Sequence, residues 1–198
     1  MKIDILRLGS YQTNCYIVRA TESTCCAVID PGSEPDRVLA YLEKEGLSLD
    51  SILLTHGHFD HVGAVRALAE KTDCRVYLCE EDELLPPEFT AGQLFYTRSY
   101  TEADTVDAAG LRFRVMHTPG HTPGSVCLIA EDAMFCGDTL FAGSCGRTDL
   151  PGGSTALLRQ SLSRLKELSE DYRIFPGHAE ASSLSLEKQY NPYLKGLL

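Results

Sequence analysis

The feature that most constrains this chain is a segment carrying four potential metal ligands, Thr55-His56-Gly57-His58-Phe59-Asp60-His61. The segment follows an apolar run at 51–54 and precedes a helical pattern that starts at Val62. Imidazole nitrogens and carboxylate oxygens are good ligands for zinc and other borderline divalent metals. The pattern therefore predicts a metal site at a strand-to-helix junction, and a polar histidine-rich loop without metal is the alternative.

The spacing within this segment predicts two sets of ligands. His56 and His58 are two residues apart, so in an extended segment both side chains point to the same side and can reach one metal. Asp60 and His61 fall where the following helix begins, and the turn of the chain there can present a second set. Neither set is complete, so the fold must bring further ligands to this junction.

Three other segments place potential ligands at turns or strand ends. His121 lies in a Pro-Gly turn, Asp138 follows the strand-like run 133–137, and His178 follows Pro176-Gly177. Each position suits a ligand that arrives from a separate strand.

Hydrophobic periodicity indicates an α/β alternation. It predicts strands at 2–8, 13–19, 25–30, 51–54, 75–79, 111–116, 125–130, 133–137 and 172–175. The first three should form an antiparallel meander. Helices are predicted at 35–45, 62–72, 155–168 and 183–190. Residues 86–104 show no clean period and are predicted to form a long loop.

Length and composition limit the possible functions. A chain of 198 residues fits a single domain, residues 1–198. The formal charge of −10 and the lack of a basic run argue against a nucleic-acid partner. No apolar run reaches membrane-spanning length and the amino terminus lacks the features of a signal peptide, so we predict a cytoplasmic protein that does not bind membranes.

The eight cysteines contain no C-x-x-C pair and mostly lie in apolar runs, as expected for buried thiols. Cys145 is the exception, because its position in a glycine-rich loop leaves open an exposed and reactive thiol, although a catalytic role is not expected.

Taken together, the four motifs resemble those of the metallo-β-lactamase superfamily, and most closely those of its glyoxalase II (hydroxyacylglutathione hydrolase) group. The motifs are Thr-His-x-His-x-Asp-His, Thr-Pro-Gly-His-Thr around His121, Gly-Asp-Thr around Asp138 and Pro-Gly-His around His178. The resemblance implies a four-layer αββα sandwich with the metal site at one edge. The chain is similar to the short bacterial members, which lack the carboxy-terminal helical domain.

The resemblance also implies the ligands of two divalent metal ions, which we expect to be zinc, with iron or manganese as alternatives. One ion would be held by His56, His58 and His121, and the other by Asp60, His61 and His178. Asp138 would bridge the two ions. His117 has no counterpart among these ligands and is expected to be a structural histidine.

The implied reaction is hydrolysis of a thioester such as S-lactoylglutathione, with Asp60 and Asp138 as catalytic residues. Two ions about 3.5 to 4 Å apart can share a water and lower its pKa toward neutrality. Arg147 occupies the position of a basic residue that contacts glutathione in the group, and an ordinary exposed loop arginine is the alternative. The expected partner is a small-molecule thioester, and the protein is expected to be a monomer or a homodimer.

Other functions remain open on the sequence alone. Persulfide dioxygenases of the same superfamily use a single iron and share the pattern Gly-x-Gly-Arg-Thr-Asp in the loop after the bridging aspartate, which the segment Cys-Gly-Arg-Thr-Asp at 145–149 matches here. Hydrolysis of another ester, a lactone or a phosphodiester, and a metal-binding module without catalysis, are further alternatives.

Overall fold

The first sheet is a mixed six-stranded sheet formed by the amino-terminal half of the chain. The computed structural model describes residues 1–196. In spatial order, this sheet contains β1 (Lys2–Leu8), β2 (Thr13–Arg19), β3 (Cys25–Ile29), β4 (Ser48–Leu53), β5 (Arg75–Leu78) and β6 (Arg98–Ser99). β1, β2 and β3 pair antiparallel, which confirms the predicted meander. β4, β5 and β6 then add in parallel.

The second sheet is formed by the carboxy-terminal half of the chain. In spatial order it contains β14 (Ser182–Ser183), β13 (Arg173–Pro176), β10 (Ala133–Gly137), β9 (Val126–Ala130), β8 (Leu111–His117) and β7 (Thr105–Ala108). Its strands pair antiparallel except for β10 and β13, which are parallel. A small separate hairpin joins β11 (Leu140–Phe141) to β12 (Ser144–Cys145).

The helices cover the outer faces of the two sheets. They are α1 (Pro35–Glu45), α2 (Phe59–Val62), α3 (Val65–Thr72), α4 (Thr155–Glu167) and α5 (Leu184–Tyr190). Apolar residues of α1 and α3 pack on the first sheet, and those of α4 and α5 pack on the second. Among the described residues, no helix has both the length and the apolar character needed to cross a membrane.

The pleat of β2 shows how the layers are held together. Tyr16 and Val18 face the second sheet, where Tyr16 packs edge-on against Phe135 with ring centroids 5.2 Å apart. Cys15 and Ile17 face the helices on the other side of the sheet. Strands buried on both faces create one apolar layer between the sheets and one under each helical layer. The predicted αββα sandwich is confirmed.

Two predicted elements differ from the structure. The helix predicted at 62–72 is divided into α2 and α3, because the chain at Gly63 and Ala64 lies against the turn that follows β3. Ala64 N–H donates to the carbonyl of Pro31 at 3.0 Å, which takes it out of a regular helix. The loop predicted at 86–104 contains a short 3-10 turn, Pro87–Phe89, and β6.

Besides β6, four strands were not predicted, namely β7, β11, β12 and β14. Three of these are only two residues long, too short for an alternating pattern to be recognised.

Candidate metal centre

The four predicted ligand segments converge at one edge of the sandwich. The histidine-rich segment leaves β4, and its Asp60 and His61 lie in α2. His121 lies in the loop between β8 and β9, while Asp138 and His178 follow β10 and β13. The first sheet and the second sheet therefore each supply part of the site, and the structure brings all seven predicted metal ligands together.

The first group consists of His56, His58 and His121, whose potential ligand atoms lie within 4.8 Å of one another. All three side chains are buried. His58 Nδ1 lies 2.9 Å from His121 Nε2. His121 Nδ1 donates to the carbonyl of Arg147 at 2.9 Å, because a carbonyl oxygen can only accept. The Nε2 of His121 therefore keeps its lone pair and presents it to the group.

The second group consists of Asp60, His61 and His178, whose potential ligand atoms also lie within 4.8 Å of one another. Asp60 Oδ2 lies 3.1 Å from His178 Nε2 and 3.7 Å from His61 Nε2. It also accepts a hydrogen bond from Thr13 Oγ1 at 3.2 Å. The carboxylate of Asp60 is thus directed toward both histidines of its group.

Asp138 lies between the two groups. Its Oδ2 is 3.6 Å from His121 Nε2 of the first group and 3.7 Å from His178 Nε2 of the second. Its Oδ1 is 3.5 Å from His61 Nε2. One carboxylate therefore faces both groups, which is the placement that a bridging ligand needs.

Asp30, which the sequence analysis did not select, orients a histidine in each group. Its Oδ2 accepts from His61 Nδ1 at 2.9 Å and from Thr55 Oγ1 at 2.6 Å. The same Thr55 oxygen lies 3.1 Å from His56 Nδ1, and it accepts there because its own proton is donated to Asp30. Both rings consequently direct Nε2 toward the site. Only its position at the end of β3, in an Asp-Pro-Gly turn, was visible in the sequence.

The residues present fit divalent metal ions. Within residues 1–196, the buried site atoms without a hydrogen bond are His56 Nε2, His58 Nε2, His61 Nε2 and Asp138 Oδ1. A buried polar atom without a partner costs about 1–3 kcal/mol, so such a concentration at one place calls for a ligand. Imidazole nitrogens with a carboxylate are a donor set suited to zinc, iron or manganese.

The protonation of the two groups differs. Burial, together with the neighbouring imidazoles, lowers the pKa of His56 well below its usual value and that of His58 to about 4, so both are neutral ligands. Burial acts in the same direction on His61, but Asp138, Asp30 and Asp60 overcome it and raise its pKa to about 9. A metal ion entering the second group therefore replaces a proton.

A cleft of about 330 Å³ opens onto this site. Besides metal-site residues, its lining contains the apolar or aromatic side chains of Tyr11, Phe59, Phe89 and Leu150, and Arg147. Arg147 is exposed and forms a bidentate ion pair with Asp149, with both N–O distances 2.7 Å. The structure thus places Arg147 at the cleft, with its guanidinium already paired.

The structure does not support an exposed, reactive thiol at Cys145. Cys145 is half-buried in β12 and packs against the core under α4 and α5. Burial raises its pKa to about 11, which disfavours the thiolate.

His117 lies apart from the seven ligands. Its Nε2 lies 2.8 Å from the carbonyl oxygen of Pro123, which fixes the turn that carries His121. Cys79 and Glu81 come near it, and the three could in principle surround an ion. However, burial raises the pKa of Cys79 to about 11 and the His117 Nε2 is already engaged. A structural role for His117 fits these contacts better.

The chain is similar to known proteins over nearly its whole length. A model of the metallo-beta-lactamase superfamily matches residues 8–178. The hydroxyacylglutathione hydrolase GloC of Haemophilus influenzae is 34% identical over 209 residues, which cover 98% of each protein. A hydroxyacylglutathione hydrolase of Photobacterium profundum is 36% identical over 174 residues, covering 86% of this chain and 65% of that protein.

Solved structures show the same fold. The B3 metallo-beta-lactamase BLEG-1 superposes with a TM-score of 0.90 at 33% identity, covering 98% of this chain and 100% of that one. TTHA1623 in a di-iron-bound form superposes with a TM-score of 0.85 at 39% identity, covering 96% of this chain and 100% of that one. ETHE1 from Myxococcus xanthus superposes with a TM-score of 0.85 at 29% identity, covering 99% of this chain and 85% of that one. With the family model matched and its motifs assembled at one edge of the sandwich, the chain belongs to the metallo-beta-lactamase superfamily.

Proposed function

We propose that the protein is a binuclear metallohydrolase that cleaves thioesters, with an S-hydroxyacylglutathione such as S-lactoylglutathione as substrate. The observation that carries this proposal is the position of Asp138, whose carboxylate faces both ligand groups at 3.5–3.7 Å. The similarity to GloC, a hydroxyacylglutathione hydrolase, supports the substrate class.

One ion would be held by His56, His58 and His121. The other would be held by Asp60, His61 and His178, and both ions would be bound by Asp138. We propose zinc, with iron or manganese as alternatives. Bound ions at this place supply Lewis-acid activation of a water and of a carbonyl group.

The protein's own groups orient the site. Asp60 is held from two directions, by Thr13 Oγ1 at 3.2 Å and by His178 Nε2 at 3.1 Å. The charges of His61 and His178 and the hydrogen bond to His178 lower the pKa of Asp60 despite its burial, which alone would raise it. Asp60 is therefore ionised and can accept a hydrogen bond from a water in the cleft, which supports a role in orienting the attacking water.

The cleft and the chemistry of the leaving group both suit hydrolysis of a thioester. Its aromatic rim, with Tyr11 and Phe59 in edge-to-face contact at 5.2 Å, limits the access of bulk water to the bound carbonyl. A thiolate is also a good leaving group, because thiols have a pKa of about 8.5. The reaction consequently needs no separate strong acid.

The experiment that tests the proposal combines elemental analysis with a thioesterase assay. The purified protein should contain two divalent ions per chain and hydrolyse S-lactoylglutathione, with β-lactam, lactone and phosphodiester substrates as comparisons. Two bound ions with no thioester hydrolysis, but turnover of another substrate, would overturn the substrate assignment while keeping the metal centre.

A persulfide dioxygenase is the second candidate, because the chain is similar in structure to ETHE1 and its Cys-Gly-Arg-Thr-Asp segment at 145–149 matches the Gly-x-Gly-Arg-Thr-Asp pattern of these dioxygenases. One iron per chain, with oxygen consumption on glutathione persulfide and no thioester hydrolysis, would establish it instead.

We also propose a cytoplasmic location and a small-molecule partner, without nucleic acid or membrane, for a monomer or homodimer. All eight cysteines are free thiols, which supports a reducing compartment.

Replacing Arg147 with alanine should raise KM for S-lactoylglutathione severalfold and change kcat less, as expected for a group that binds substrate in its ground state. The effect is modest because the exposed guanidinium must first leave Asp149. Steady-state kinetics test this. Arg112→Ala is the matched control, since Arg112 is equally exposed and paired with Asp107 outside the cleft. An unchanged KM in Arg147→Ala would remove Arg147 from the substrate site.

A further inference from the structure

We propose that Asp82 is a positioning residue that holds together the two loops carrying the first ligand group, His56, His58 and His121. Asp82 lies in a 3-10 turn, Glu80–Leu84, that follows β5, and its side chain is fully buried. It is not among the predicted ligands. The inference rests on the metal centre of the proposed function and assigns a further residue to it.

The carboxylate of Asp82 accepts hydrogen bonds from two separate segments. Its Oδ2 accepts from the backbone N–H of Gly57 at 2.6 Å and from Thr122 Oγ1 at 3.0 Å. Its Oδ1 accepts from the backbone N–H of Gly124 at 2.6 Å. Gly57 lies between His56 and His58, while Thr122 and Gly124 immediately follow His121. One side chain therefore sets the distance between the two parts of the group.

Both carboxylate oxygens of Asp82 must accept hydrogen bonds from backbone N–H groups. In asparagine, one end becomes an NH2 group, which would face a backbone N–H of Gly57 or Gly124 and lose that hydrogen bond. The fit is also tight, because a Cβ on Gly124 would lie 2.8 Å from Asp82 Cγ and Oδ1.

The hydrogen bonds to the carboxylate of Asp82 all come from neutral donors. Across residues 1–196, no lysine, arginine or histidine nitrogen forms an ion pair with it. Burial raises its pKa, whereas the hydrogen bonds from Gly124, Thr122 and Gly57 act in the opposite direction. A buried carboxylate that is hydrogen-bonded only to neutral donors is costly, and this one lies beside three metal ligands, which points to a role in the site.

The test is a competition titration of metal-free protein with Zn²⁺ against a chromophoric chelator. Wild-type protein should bind two ions in separable steps, and His121→Ala and His178→Ala identify which step belongs to which group. Asp82→Asn should weaken the step lost in His121→Ala by about 10- to 100-fold. The step lost in His178→Ala should stay within the error of the wild-type value. Asp107→Asn, at an exposed carboxylate on β7, is the matched control and should change neither step.

Two results would overturn the proposal. One is an Asp82→Asn variant with both steps unchanged, and the other is a variant in which both steps weaken equally, as a general loss of structure would produce. If Asp82→Asn does not fold, as judged by near-ultraviolet circular dichroism without metal, Thr122→Val replaces it. This variant removes one donor to Asp82 and should weaken the same step severalfold, and no change in it would equally reject the role of Asp82.

Other results of these experiments test the proposed function and not the role of Asp82. If wild-type protein binds no Zn²⁺, the metal centre is wrong. If it binds two ions but hydrolyses no thioester, the assignment of Asp82 still stands on the titration.

Discussion

Asp138→Ala should lose both metal loading and thioester hydrolysis. The carboxylate of Asp138 faces both ligand groups, with oxygens 3.5–3.7 Å from His61, His121 and His178. Removing it leaves these nitrogens without the negative charge that offsets two divalent ions. We expect kcat/KM to fall by about 10³-fold or more, because water activation and carbonyl polarisation are lost together. Elemental analysis and the thioesterase assay on the same preparation test this.

Asp132→Asn is the matched control for this prediction. Asp132 lies in the turn before β10 and forms an exposed ion pair with Arg173 at 2.7 Å. Its replacement should leave metal content and kcat/KM unchanged. Full activity in Asp138→Ala would show that Asp138 does not bridge the two groups.

Gly177→Ala should also lower the rate of thioester hydrolysis strongly, although it adds only a single methyl group. A Cβ on Gly177 would lie 2.3 Å from Asp138 Oδ1 and 2.5 Å from His61 Cε1, both far inside contact distance. The backbone cannot withdraw freely, because Gly177 N–H donates to Gly137 and its carbonyl accepts from Asn14 N–H, each at 2.8 Å. Asp138 and His61 must therefore move. A displacement of about 1 Å can cost 10²-fold in rate, and we expect at least that loss.

Gly46→Ala separates this effect from the general cost of replacing a glycine. Gly46 ends α1 with φ at +64° and has no atom within 4 Å of a Cβ. Alanine there should lower the free energy of unfolding by about 1 kcal/mol and leave metal content and activity intact. Chemical denaturation and the thioesterase assay measure the two quantities. If Gly177→Ala behaved like Gly46→Ala, the packing of the site around residue 177 would be incorrect.

The proposed metal ligands could be predicted from the sequence better than the residues that orient those ligands. Clusters such as His56-Gly57-His58 stand out because histidine is rare in this chain and the cluster lies at a strand end. The order of strands and helices followed from periodicity, and the four-layer arrangement followed from the resemblance. The structure assembled all seven predicted ligands as two groups around Asp138.

Asp30 and Asp82 could not be recognised in the same way. Each is a single aspartate at the end of a strand or in a turn, where aspartate is common for local reasons. Their partners are distant in the sequence: Asp30 contacts His61, and Asp82 contacts Gly124. The first contact depends on how β3 and β4 align in the first sheet, and the second depends on how the two sheets pack together. No local pattern encodes either. The division of the predicted helix at Gly63 has a similar origin, in a contact with Pro31.

The division of the ligands between the two sheets has a consequence for folding as well. His58 and His121 are 63 positions apart in the chain, so an ion bound between them would close a long loop and act as a cross-link. Cross-links that close long loops restrict the unfolded chain most. The melting temperature should then rise with the concentration of free ion, since the ion binds the folded chain preferentially. Metal scarcity would thus reduce the number of folded molecules along with the turnover of each one.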